Sequence, residues 1–155
     1  NSGMTGCYIP CHGCIDNAIH TYAGIQLRLE CARIMAGQRG EEPVGQAKIT
    51  KAYNLPCRYV LHTVGPMIEG AVTKTDREQL SSCYRSCLDL AAANGLHSVA
   101  FCCISTGEFH FPNELAAQIA IETVRDWQRQ NPDKIEVIFN VFKDSDRELY
   151  KRLLG

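Results

Sequence analysis

Ser98-Val-Ala-Phe-Cys-Cys-Ile104-Ser-Thr-Gly107-Glu-Phe-His-Phe-Pro112-Asn113 joins an unbroken apolar run to a glycine-bearing loop and a helix-capping residue. The run from Ser98 to Ile104 reads as a strand buried on both faces. Ser105 to Pro112 reads as a loop, and Asn113 as the cap of a helix that continues to Gln130. Loops that leave the carboxyl ends of strands in open α/β sheets are where ligands bind. Backbone N–H groups at such a loop and helix start hold a diphosphate without any lysine. Many strand-to-helix loops carry Gly and Ser, so the pattern alone is not specific. His110 reads as a surface group rather than a general base.

The flanking segments extend the alternation of strands and helices. Ile15, Ile19, Tyr22, Ala23, Leu27, Cys31 and Ile34 recur at helical steps, which predicts one helix from Ile15 to Ile34. Val44 to Thr50 is short and mixed, and Arg58 to Val64 is a β-rich run closed by Gly65-Pro66. Leu80, Cys83, Cys87, Leu90 and Ala91 place a helix over Asp76–Ala93, stopped by Asn94-Gly95. Ile135 to Phe142 reads as another strand. Asp144 to Leu154 reads as a last helix, with Asp144 or Ser145 available as its cap. The alternation predicts one α/β domain over residues 1–155, in three layers (α/β/α) around a mixed central sheet.

Composition narrows the function classes. Sixteen basic and seventeen acidic residues leave a net charge of -1, which offers no general attraction to nucleic acid or an anionic membrane. Phosphate binding would have to be local. Nine cysteines, an odd number spread over helices and strands, predict a reducing, cytoplasmic setting rather than a disulfide scaffold. No stretch is long and apolar enough to span a bilayer. The first Met is Met4, inside a loop, so the chain reads as part of a longer protein.

The densest chemical signal is Cys7-Tyr-Ile-Pro-Cys11-His12-Gly-Cys14-Ile-Asp16-Asn17. Four soft donors in a Gly/Pro loop favour a transition metal, with zinc the default for thiolate and imidazole. Cys11 and His12 are adjacent, so their side chains tend to diverge, which makes Cys7, His12 and Cys14 a plausible three-ligand set. Three ligands leave a fourth position open, the arrangement of catalytic zinc. Free cysteines, or a Cys11/Cys14 redox pair, remain alternatives. Asp16 lies where the loop becomes a helix, either complementing the helix end or anchoring a ligand hydroxyl and orienting water. His20, one turn on, reads as a packed histidine satisfied by backbone.

Together these segments resemble the macrodomain family. Asn1-Ser2 is similar to the end of its NAAN(S) motif, and Asp16-Asn17-Ala18-Ile19-His20 to its VDxxIH helix start. Gly45-Gln-Ala-Lys-Ile-Thr50, Tyr53-Asn-Leu-Pro56 and His62-Thr63-Val64-Gly65-Pro66 resemble its G-x-A-x-x-T…Y-x-L-P…HTVGP stretch. Ile104-Ser-Thr-Gly107 through Phe109 to Pro112 resembles its diphosphate loop, and Val141-Phe142, Asp146 and Tyr150 its closing pattern. The Cys-bearing loop, where most hydrolytic members carry polyglycine, resembles the zinc-containing subgroup, in which the Cys, His and second Cys hold the metal.

The resemblance implies removal of ADP-ribose from acidic side chains of mono-ADP-ribosylated proteins, with one zinc per chain. It also implies company with a sirtuin-type transferase and a lipoyl-carrier protein. It places Asn1, Asp16 and Asn17 in the ADP-ribose site, with Asn1 and Asp16 at the distal ribose as the catalytic pair. Ser105, Thr106, Gly107, Glu108 and Phe109 would line the diphosphate, and Phe142 would meet the adenine. The family's earlier strands and its adenine-contacting Asp are expected ahead of Asn1. Two positions depart from the pattern: Glu108 replaces Val or Ile, and His110 replaces Gly. Glu108 must turn its carboxylate from the phosphates. The rival reading is a non-catalytic ADP-ribose reader with a structural zinc.

Overall fold

The computed structural model describes Met4 and residues 6–155; Asn1, Ser2, Gly3 and Thr5 lie outside the described residues. In chain order the elements are α1 (Ile15–Ala23), α2 (Ile25–Ala36), β1 (Ala47–Lys51), β2 (Tyr59–Thr63), α3 (Lys74–Ala93), β3 (Ser98–Phe101), α4 (Asn113–Gln130), β4 (Glu136–Phe139) and α5 (Asp144–Leu154). β1 pairs antiparallel with β2, with Ile49 opposite Leu61. β3 pairs parallel with β4, with Val99 opposite Val137. The expected mixed sheet is thus present among the described residues as two hydrogen-bonded pairs, one of each sense.

The main core forms where α3 and α4 press their apolar faces on β3. Leu80, Cys83, Tyr84, Cys87 and Leu88 of α3 meet Ala116, Ala120, Val124 and Trp127 of α4 over Val99 and Phe101. Leu80 and Leu88 are fully buried, and each such side chain contributes about 1.5–3 kcal/mol. Trp127 Nε1 donates to Asp89 Oδ1 at 2.6 Å, giving the buried indole its polar partner. A smaller cluster of Met4, Ala23, Leu27 and Cys31 underlies α1 and α2.

Four expectations need correction. The single helix over Ile15–Ile34 is two, broken at Gly24, whose φ of 93° is open to glycine and strained for other residues. Asn54 fills the break, donating from Nδ2 to the Ala23 carbonyl at 3.0 Å. β3 is buried on one face only: Val99 and Phe101 point inward while Ser98 and Ala100 are exposed. Asn113 does not cap α4; Pro112 holds that place, and Asn113 Nδ2 donates to buried Asp146 Oδ1 at 2.6 Å, tying α4 to α5. Neither Asp144 nor Ser145 caps α5, whose N-cap is Lys143 with no side-chain hydrogen bond. The third helix, by contrast, starts earlier than its apolar pattern, on a reciprocal box between Thr73 and Asp76.

Candidate active site

The loop ahead of α1 is held from outside by side chains of the two helices. Gly6 has φ 81° and passes so close to α2 that a Cβ there would fall 2.7 Å from Arg28 Nη1 and 3.2 Å from His20 Nε2. Arg28 Nη2 donates to the Cys7 carbonyl at 2.7 Å, and its guanidinium lies over the Tyr8 ring at 4.2 Å. Asn17 Nδ2 donates to the Ile9 carbonyl at 2.9 Å. The Cys7 N–H donates to Asp16 Oδ2 at 2.6 Å, so the buried Asp16 carboxylate anchors the same turn. His20 is buried without a backbone partner: neither ring nitrogen has a hydrogen bond among the described residues. Asp16 Oδ1 stands 3.5 Å from its Nε2. The sequence reading of a backbone-satisfied histidine therefore fails: the ring packs against Gly6, and no backbone group among the described residues hydrogen-bonds it.

This anchoring turns three donors toward one point. Ligand atoms of Cys7, His12 and Cys14 all lie within 4.8 Å of one another, with Cys7 Sγ 3.4 Å from His12 Nδ1. Cys14 Sγ also accepts the Asn17 N–H at 3.3 Å, so a sulfur serves as the side-chain cap of α1. A hydrogen bond from the Ile9 backbone, helped by Asn17 and His12, holds the Cys7 thiol below its ordinary pKa. Burial and then the neighbouring Cys7 push the Cys14 thiol up. Two crowded thiols beside an imidazole are a donor set of the kind that suits a soft divalent cation. The donor set fits zinc. Cys11 is exposed at φ 55° and outside the set, and the free thiols form no disulfide.

The loop after β3 is organised by its backbone. Ser105 takes φ 64° and His110 φ 57°. Thr106 N–H donates to the Cys103 carbonyl at 3.3 Å, His110 N–H to Gly107 at 3.0 Å, and Phe111 N–H to Ser105 at 2.9 Å. Among the described residues, the N–H groups of Ser105, Gly107, Glu108 and Phe109 have no protein acceptor, and Ser105 Oγ is buried without a partner. Consecutive free N–H groups in such a turn make an anion-binding concavity. Gly65 lies directly beneath: a Cβ on it would stand 2.0 Å from Ser105 Oγ and 2.9 Å from Ile104 Cγ2. Ile68 N–H pins the loop by donating to the Phe109 carbonyl at 2.9 Å.

The two loops meet where Glu108 Oε1 comes to 3.6 Å from His12 Nε2. His110 is exposed. Asn1 lies outside the described residues, and Phe142, just ahead of α5, is 99% exposed. The structure therefore brings together Cys7, His12, Cys14, Asp16 and Asn17 with Glu108, and leaves the Phe142 ring exposed. Sequence reasoning missed Arg28, whose place on α2 carries no motif, and a buried pair beneath α1. There His62 Nε2 stands 2.8 Å from Thr50 Oγ1, and its ring lies 6.4 Å from that of His20. Burial, then the charge of His20, lowers the His62 pKa to about 4.

Residues 1–120 match the macro domain family. The chain is a macrodomain. Its curated relatives include a protein named protein-ADP-ribose hydrolase from Treponema medium, 59% identical over the whole chain. A protein of the same name from Staphylococcus aureus (strain MSSA476) is 51% identical over 97% of the chain. The macrodomain spans 59% and 57% of the lengths of these two relatives. Among solved structures, the Oceanobacillus iheyensis macrodomain with ADP superimposes with a TM-score of 0.87 at 32% identity, over 99% of this chain and 78% of that one. The Trypanosoma brucei macrodomain in complex with ADP-ribose gives 0.83 at 36%, over 100% of this chain and 60% of that one.

Proposed function

We propose that this macrodomain binds ADP-ribose and hydrolyses it from mono-ADP-ribosylated proteins, at esters of aspartate and glutamate, with one zinc held by Cys7, His12 and Cys14. The observation that carries the reading is the convergence of those three donors beside the start of α1, where Asp16 is buried. The hydrolase name of its relatives and the ADP-ribose in a structural neighbour support the substrate class.

In this reading the free N–H groups of Ser105, Gly107, Glu108 and Phe109 take the diphosphate oxygens, with Ser105 Oγ donating beside them. Thr106 Oγ1 donates to Cys103 O at 2.9 Å and shapes the turn. Phe142 stacks on the adenine. Asp16, with Asn17 beside it in sequence and Asn1 from an earlier segment, orients the distal ribose and the attacking water, a positioning task suited to a fixed carboxylate. A zinc held by Cys7, His12 and Cys14 would supply Lewis acidity to the reaction. Water adds across the ester, yielding free ADP-ribose and the protein carboxylic acid, whose proton goes to solvent.

The test is single-turnover release of ADP-ribose from an aspartate- or glutamate-modified protein, with zinc content and ADP-ribose affinity measured in parallel. Cys14→Ala is expected to abolish release and zinc binding while ADP-ribose still binds, and Cys11→Ser to change neither. Full release by Cys14→Ala, or equal damage from Cys11→Ser, would overturn the three-ligand catalytic site and leave a reader of ADP-ribosylated protein.

A further inference from the structure

The side chain of Glu108 is placed on the metal loop rather than on the anion loop that bears it. His12 presents its two nitrogens to different groups: Nδ1 stands 3.4 Å from Cys7 Sγ, and Nε2 stands 3.6 Å from Glu108 Oε1. The Cys7, His12 and Cys14 donors converge within 4.8 Å, so the ring is oriented with Nδ1 inward. An imidazole that ligates through Nδ1 carries its remaining proton on Nε2. Histidine ligands almost always donate that proton to a carboxylate, a carbonyl or water, which fixes tautomer and ring orientation and strengthens the ligand.

We propose that Glu108 is a positioning residue for the metal centre, the carboxylate that accepts the His12 Nε2–H and thereby locks the metal loop to the diphosphate loop. The inference rests on the metal reading above and extends it to a link between the two loops. It accounts for a carboxylate in an anion-binding turn. The backbone N–H groups of Ser105, Gly107, Glu108 and Phe109 await an anion, and a free carboxylate among them would compete with the diphosphate and repel it. Held on His12, the Glu108 charge is turned toward the metal loop and partly balanced there by the cation. Metal binding and diphosphate binding then favour the same Glu108 rotamer, which makes them linked, each strengthening the other by the same factor.

The experiment measures zinc affinity by competition with a chromophoric chelator, with and without ADP-ribose, on the unmodified protein, Glu108→Ala, Glu108→Gln and Glu136→Ala. Glu136 is an exposed carboxylate on β4 and serves as the control. Glu108→Ala is expected to weaken zinc binding about 10–100-fold, the usual cost of losing such an outer partner. Glu108→Gln, whose amide oxygen still accepts, should recover most of that loss, and Glu136→Ala should match the unmodified protein. ADP-ribose should tighten zinc binding in the unmodified protein and do so far less in Glu108→Ala. A protein that holds zinc equally well with and without the Glu108 side chain overturns this inference and leaves the metal reading intact. An unmodified protein that holds no zinc overturns both.

Discussion

The two loops of the site are built by opposite means. The loop ahead of α1 makes few bonds to itself and depends on side chains that reach it from α1 and α2: Arg28 on the Cys7 carbonyl, Asn17 on Ile9, and Asp16 on the Cys7 amide. The loop after β3 is largely self-contained, closed by main-chain bonds such as Phe111 to Ser105, pinned by Ile68 and floored by Gly65. The difference follows from what each must present. A metal needs side-chain donors pointing inward, so the backbone must be gripped from outside. An anion needs free N–H groups, so the turn must be fixed by backbone geometry that leaves those groups unspent.

The largest expected effect comes from filling the floor of the self-contained loop. Gly65→Ala places a methyl 2.0 Å from Ser105 Oγ, and overpacking of this kind costs typically about 1–3 kcal/mol. Thermal unfolding should show a cost at the upper end of that range, and calorimetry should show ADP-ribose binding weakened tenfold or more, on the order of 1.4 kcal/mol. Adding Ser105→Gly removes the clashing hydroxyl and suits φ 64°, so the double variant should recover part of the loss. Unchanged ADP-ribose affinity in Gly65→Ala would break the claim that backbone geometry makes the anion site.

Acid should act on the other side of the site. His62 is buried, and that burial lowers its pKa to about 4 from an ordinary 6.5. The neutral ring is therefore favoured in the folded state, and the unfolded state binds the extra proton between those values. Its stabilisation is complete above pH 6.5 and is lost as pH falls toward 4, up to about 3 kcal/mol. Urea midpoints between pH 7 and 4 should fall in the unmodified protein and fall less steeply in His62→Gln. Equal slopes would remove His62 as the source.

The smallest effect tests the external grip. Arg28→Ala removes the bond to the Cys7 carbonyl and the contact with Tyr8, a loss of about 1–2 kcal/mol. It should appear as roughly tenfold weaker zinc binding, with ADP-ribose affinity of the metal-free protein unchanged. Equal weakening of both would erase the distinction between the loops.

What could be read along the chain was whatever neighbouring residues decide among themselves. Helical spacing located α3, since a face three to four residues apart is a local property of the chain. The Cys7, His12 and Cys14 spacing and the Ser105–Phe109 turn were legible for the same reason, because each lies within one loop. The division of α1 from α2 at Gly24 was not, because apolar spacing continues across it while Asn54, from a distant segment, fills the break. Nor were the one-sided burial of β3, the partner of Asn113, the grip of Arg28 or the meeting of Glu108 with His12. Each of these depends on segments far apart in the chain, and a contact across such a distance is specified by how the packed elements approach rather than by the residue types alone. Local pattern therefore decided which groups the site contains, and tertiary packing decided which way they point.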